Sequence, residues 1–95
     1  MKHDTRHDIR HETDHHRFST TVEGHLCVLD YELNGSVMTI THTGVPPAAG
    51  GKGVAAELTR VALDTARQSQ WQVVPRCSYA AVYIERHPEY ADLTK

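Results

Sequence analysis

Cys77 stands in "VVPRCSYAAVYIERHPEY" (residues 73–90), two positions after Pro75, where an apolar strand pattern gives way to a helical one. A thiol there would feel the positive end of a helix, which lowers its pKa and favours the nucleophilic thiolate. The rival role is that of a small buried filler, the ordinary fate of a free cysteine. His42, in "TITHTGV", ends a strand just before a glycine-rich loop. Imidazole titrates near neutral pH and can take a proton from an ammonium, or it can hold a loop by a hydrogen bond. The loop itself, Gly50-Gly51-Lys52-Gly53, lies between that strand and a helix. A helix N-terminus presents unpaired N–H groups and a partial positive charge, so a phosphate or pyrophosphate would be held well there, with Lys52 adding a cation. Neither the P-loop spacing nor GxGxxG is present, and a flexible turn is the plainer alternative.

The elements that must position these groups follow from periodicity. Cys27, Leu29, Tyr31 and Leu33 alternate along one strand face, Asn34-Gly35 reads as a two-residue hairpin turn, and Val37 to Thr43 forms the returning strand. "RFSTTVEG" before them alternates weakly, which makes an antiparallel meander. After the "VPPAAGGKG" loop, Val54, Leu58, Val61, Ala62 and Thr65 recur at helical spacing to about Gln68. "WQVVP" is a short strand closed by Pro75. Tyr79, Val82 and Tyr83 mark a second helix that His87-Pro88 terminates, with His87 as its cap. The order β-β-β-α-β-α predicts an α+β fold in which the strands flanking the first helix are parallel neighbours. Cys27, inside a regular strand, is expected in the core.

Ninety-five residues allow one small domain. The net charge is −2 and the Lys and Arg residues are interleaved with acids, so no basic stripe exists for nucleic acid. No apolar run approaches the roughly 20 residues that span a membrane. Two cysteines are too few for a disulfide scaffold, and with no secretory signal the expected compartment is cytoplasmic with reduced thiols. Five of the eight histidines (His3, His7, His11, His15 and His16) fall in residues 1–16. If helical, their four-residue spacing would line up a metal-binding stripe, but the tract lacks apolar residues to dock it. Residues 1–16 are therefore expected to be a disordered tail, and 17–95 the folded domain.

"HTGVPP", "GGKGVAAEL" and "VVPRCSY…YIERHPEYADL", in this order and at this spacing, resemble the compact, single-domain branch of the GNAT acetyltransferases, over roughly Phe18 to Leu93. The resemblance implies an acetyl-CoA site, with the pyrophosphate on the backbone N–H groups of Gly51, Lys52, Gly53 and Val54, and Gly50 and Ala55 alongside. The pantetheine arm would follow Thr43, Gly44 and Val45 by main-chain hydrogen bonds. Cys77 is implied as the catalytic residue. Tyr79 and Tyr83, four apart on one helix face, would cover the coenzyme or protonate its departing thiolate, with core packing claiming Tyr79 more than Tyr83. Ala48 replaces the Gln or Arg of the larger enzymes' signature, and Gly44 replaces an acidic residue often found there, which bears on catalysis more than on binding.

The function expected is transfer of acetyl from acetyl-CoA to a primary amine, with His42 as base or through acetyl-Cys77. The acceptor, a small amine, a polyamine or a protein lysine, is left open, and the protein is expected to be a monomer or weak dimer. A coenzyme A-binding module without turnover is the alternative, and a metal-responsive role for the histidine tract a third.

Overall fold

Two short reversals build most of the sheet. Glu23 and Gly24 both take positive φ (51° and 80°), as a hairpin turn between right-twisted strands requires. The second reversal is Gly35-Ser36, one residue later than expected, because Asn34 pairs with Val37 and belongs to the ladder. Gly35, at φ 59°, takes the first central position. The computed structural model describes residues 8–51 and 53–95. Among these, β1 (Arg10–Glu12), β2 (Arg17–Val22), β3 (His25–Asn34), β4 (Val37–Gly44) and β5 (Gln72–Pro75) form one sheet in the order β1-β2-β3-β4-β5. Pairing is antiparallel except between β4 and β5, which are parallel. Helix α1 (Val54–Ser69) makes the crossover between them, and α2 (Ser78–Arg86) follows β5. The α+β class and the parallel flanking strands are as the sequence predicts.

Every large strand residue in the core points to one face. Phe18, Cys27, Leu29, Tyr31, Met38, Ile40 and Val73 are buried together with Val54, Leu58, Ala62, Leu63 and Ala66 of α1 and Ala80, Tyr83 and Ile84 of α2. Cys27 is thus a core residue. The buried stripe of α1 is centred on Leu58, Ala62 and Ala66; Val61 and Thr65, also expected on it, sit at its half-buried edge. On the opposite face of the sheet, Thr21, Leu26, Asp30, Glu32, His42 and Val74 are exposed or half-buried. This is the one-sided burial common in antiparallel sheets. A 3-10 turn at Pro88–Thr94 closes the helical layer, burying Tyr90 and Leu93. The Tyr90 hydroxyl donates to Asp64 of α1 at 2.7 Å.

From residue 8 onward the expected tail is part of the fold. Arg10–Glu12 pairs antiparallel with β2, and Thr13–His15 is a 3-10 turn, so the histidines form no helical stripe here. Interaction with the core holds the segment despite its polar composition. The His11 ring stacks on Phe18 at 4.1 Å and 12°, and its Nε2 is 2.6 Å from the Tyr31 hydroxyl. His16 stacks over Tyr31, and its carbonyl accepts the Tyr31 N–H at 3.0 Å. The Ser19 hydroxyl donates to Glu12. His3 and His7 lie outside the described residues.

Burial, and secondarily the neighbouring His16, hold the His11 pKa below its ordinary value. The unfolded chain therefore takes up a proton near pH 6.5 that the folded chain resists, so stability present above pH 6.5 is lost as pH falls through it toward the folded pKa. Thermal midpoints measured from pH 7.5 to 5.5 should fall more steeply for the natural chain than for His11→Phe. Equal slopes would show that His11 is not linked to folding.

Candidate functional site

The site begins at a bulge. Asp30 opposes His42 while Tyr31 opposes Ile40, so Thr41 is one extra residue in β4. Such a bulge bends its strand and disrupts the ladder locally. On the other side of β4 the pairing with β5 runs only from Val37↔Gln72 to Ile40↔Pro75. Arg76 and Cys77 both direct their N–H groups to the Ile40 carbonyl, at 3.1 and 2.9 Å, and the chain then turns into α2. From Thr41 to Gly44, β4 keeps β3 on one edge and has no strand partner on the other. A fork opens between the two parallel strands, and among the described residues one arm of it has no strand partner.

Cys77 sits in the crotch of that fork as the N-cap of α2. Its Sγ is 3.5 Å from Thr43 Oγ1. Thr43 opposes Leu29 and so shares the helix-covered face. Partial burial pushes the thiol pKa up, but the Thr43 hydroxyl and the backbone N–H groups of Ala80, Tyr79 and Thr43 outweigh it, and the net direction is down from 9.0. The sulfur makes no conventional capping hydrogen bond; the helix-terminal N–H groups act on it as a converging field. Cys27 is the converse case, where burial alone raises the thiol.

The loop runs on from the free arm. A 3-10 turn at Pro47–Ala49 buries Ala49, Gly51 takes φ 77°, and Gly53 takes φ 74° as the N-cap of α1. Glu57 donates to the Gly53 carbonyl at 3.0 Å, which starts the helical ladder. A glycine N-cap has no side chain with which to satisfy the first N–H groups of the helix. Lys52 lies outside the described residues. Ala48 is exposed and Val45 half-buried beside Gly44.

The structure brings Thr43 to Cys77 but separates His42 from both. His42 opposes Asp30 and Gly44 opposes Val28, so both occupy the sheet face away from the helices. A Cβ on Gly44 would meet His42 Nε2 at 2.8 Å and Val28 Cγ2 at 3.5 Å. Gly44 is therefore the space over which the imidazole lies. Gly44→Ala should displace the His42 ring while leaving the core intact, seen as shifts of the His42 side-chain resonances with unchanged Phe18 and Leu29 signals. Unmoved His42 resonances would sink this account.

The two tyrosines exchange the burial expected of them. Tyr83 is only 9 % exposed and stacks on His87 at 4.0 Å, whereas Tyr79 is 39 % exposed. The reason is phase: Ala80, Tyr83 and Ile84 form the inward stripe of α2. His87 caps as expected, its Nδ1 lying 2.8 Å from the Tyr83 carbonyl. Between the helices, Ala56, Tyr79, Val82, Tyr83, Arg86 and His87 line a groove of about 300 Å³ that begins at the first turn of α1. Sequence periodicity had no means of finding this groove or the Thr41 bulge.

The sheet thus forks where the bulged β4 parts from β5, and a helix N-terminus lies beyond that arm. A profile described as GCN5-related N-acetyl-transferase matches residues 17–93, and the chain belongs to that family. It is 34 % identical over 85 residues to protein NATD1 of Homo sapiens, covering 84 % of this chain and 75 % of that one. It is 30 % identical over 83 residues to NATD1 of Mus musculus, at 84 % and 76 % coverage. The solution NMR structure of a GCN5-like protein from Staphylococcus aureus superposes with a TM-score of 0.72 at 25 % identity, covering 90 % of this chain and 85 % of that one. Among the described residues no helix is long and apolar enough to cross a membrane.

Proposed function

We propose that the protein binds acetyl-CoA and transfers its acetyl group to a primary amine, and that Cys77 carries the acetyl group in between. The observation that supports this most directly is the junction of two unfilled features. The arm of β4 that lacks a strand partner, Thr41 to Gly44, runs through the loop 45–53 to a helix capped by a glycine. A pantetheine arm is a linear chain of amides and suits main-chain pairing along Thr43, Gly44 and Val45. Its pyrophosphate then meets the N–H groups of Gly51, Gly53, Val54 and Ala55, where the helix dipole favours negative charge. Gly50 belongs to the same turn, and Lys52 adds its charge to the loop. The groove between α1 and α2 takes the rest of the coenzyme, with Tyr79 as its exposed aromatic wall and Tyr83 as its buried floor.

The chemistry is two acyl transfers. The Cys77 thiolate attacks the thioester carbonyl, a C–S bond to Cys77 forms, and the coenzyme leaves as its thiolate. An amine then attacks acetyl-Cys77, the C–N bond forms, and Cys77 returns as thiolate while the amine's proton passes to a base. His42, which lies across the sheet from Cys77, is the base we assign to an amine arriving from that side. A second reading, coenzyme binding without turnover, is favoured by Gly44 standing where the family often has an acid. Calorimetric titration of acetyl-CoA into the full chain, followed by intact-mass measurement, tests these. Saturable binding and a single acetyl adduct support transfer through Cys77. Binding with no adduct and no product from any amine favours the second reading, and no binding sinks both.

A further inference from the structure

At the sheet edge opposite the fork, two imidazoles rest on one tyrosine. β1 is three residues long and pairs with β2. So short an edge strand belongs to the least stable part of a fold. His11 of β1 lies flat on Phe18 and reaches the Tyr31 hydroxyl through Nε2, while His16 stacks on the same tyrosine at 5.2 Å. Burial keeps the Tyr31 phenol protonated above its ordinary range, so it donates to a neutral His11. The charges that would offset an imidazolium lie elsewhere. By strand alternation Arg10, Glu12, Arg17 and Asp30 face the other side of the sheet, where Ser19 donates to Glu12 and Arg17 pairs with Asp30 at 2.7 Å. Asp14 and His15, in the turn after β1, are exposed. The buried residues of α1, which covers β2 and β3, carry no charge. The link from β1 to β2 is itself strained. His16 takes φ 51° and ψ 56°, a left-handed conformation that a residue with a side chain adopts at a cost.

We propose that β1 is a proton-operated latch, released from β2 at mildly acidic pH while the other four strands stay paired. A proton on His11 reverses its hydrogen bond with Tyr31 without breaking it, because imidazolium Nε2 donates and the phenol oxygen accepts. Burial against Phe18, and then the second imidazole beside the same tyrosine, oppose the proton. A cation over a ring face gains some attraction. With a like charge beside it and no carboxylate on its face of the strands, a half-buried imidazolium loses more hydration than that attraction returns. Release restores His11 to water and frees His16 from its left-handed backbone. Opening therefore takes up a proton: the advantage of the closed strand is present above pH 6.5 and is lost as pH falls toward the closed-state pKa. Asp8, Arg10 and Glu12 form one wall of a polar groove of about 430 Å³ that Ser19, Thr21 and Leu26 complete. Release removes that groove and uncovers the edge of β2, whose main-chain groups become available to another strand. The fork lies at β4 and β5, so the latch stands apart from the coenzyme reading.

Hydrogen exchange of the full chain, followed by mass spectrometry at about pH 7.5 and 5.5 and corrected for intrinsic rates, tests the latch. Exchange of residues 8–17 relative to residues 37–44 should rise about fivefold, within the ceiling of about tenfold per pH unit that one bound proton sets. His11→Phe keeps a ring on Phe18 and cannot take a charge, so its ratio should stay constant. His16→Asn suits the left-handed backbone and removes the second imidazole, so the rise should shrink. An unchanged ratio in the natural chain, or an equal rise in His11→Phe, would overturn the inference. So would acceleration of β4 in step with β1, which reports unfolding of the whole sheet. Titration of the His11 imidazole resonances in the natural chain gives a check that needs no variant. A midpoint below 6.5 is expected, and one above it would show that the ring cluster favours the charge and would overturn the latch.

Discussion

Cys77→Ala should yield no acetyl adduct after incubation with acetyl-CoA, and turnover should fall by roughly 10²-fold or more, the scale set by losing a group that acts in the transition state. Two neighbours shape that expectation. Thr43 lies 3.5 Å from the sulfur and the amides of Tyr79 and Ala80 close the first turn of α2 upon it, so the thiol ionises more readily than an ordinary one despite its partial burial. Alkylation by iodoacetamide, followed against pH, should report this directly. Because the folded pKa lies below 9.0, the reaction should persist to lower pH than for a free thiol, and Thr43→Val should move the profile upward. Cys77→Ser is an informative companion. Serine is the better helix cap and should fold at least as well, yet an unactivated hydroxyl does not replace the thiolate. Full turnover in Cys77→Ala would remove the covalent route and leave direct attack, with His42 as base, as the mechanism.

Phe18→Ala should be the costliest single truncation for the fold, at about 3–5 kcal/mol. Phe18 is fully buried, opposes Leu29 on β3 and His11 on β1, and contacts both Tyr31 and the stacked His11 ring. Its removal leaves a void under β2 and takes away the surface on which β1 is held. A domain of this size has only about 5–15 kcal/mol in total, so the urea midpoint should drop severely. Amide exchange at Arg10–Glu12 should accelerate by more than at β4, because β1 loses the ring on which His11 stacks. A loss under about 1 kcal/mol, with β1 still protected, would show that the His11–Phe18–Tyr31 cluster decorates the fold and does not hold it.

These two residues differ in how well the sequence announces them. Phe18 opens an alternating segment, and its burial is legible once a strand is assigned, but its partnership with His11 is not. The His-rich stretch has the composition of a solvated tail, and composition averages over a segment. One imidazole placed flat on a phenyl ring and touching a tyrosine hydroxyl is a tertiary event with no periodic trace. The same holds for the turn at Gly35-Ser36, where pairing of Asn34 with Val37 overrides the usual Asn-Gly preference, and for α2, whose inward face is set by how it meets α1. Tyr79 and Tyr83 lie on one side of any helical wheel, and a rotation of a fraction of a turn decides which of them is buried.

By itself the chain determined the α+β class, the strands from β2 to β5 and the two helices, the core cysteine at position 27, and the glycine loop leading into α1, because each rests on local periodicity or on backbone freedom at one residue. Its motif spacing also carried the family. Only the tertiary structure decided that Thr41 is an extra residue, that β4 and β5 part after Ile40, that Thr43 meets Cys77, and that His42 stands on the other side of the sheet. The physical reason is that the face a strand residue occupies depends on every residue between it and its pairing partners. One inserted residue reverses the alternation, and the insertion is visible only when the strands are laid side by side.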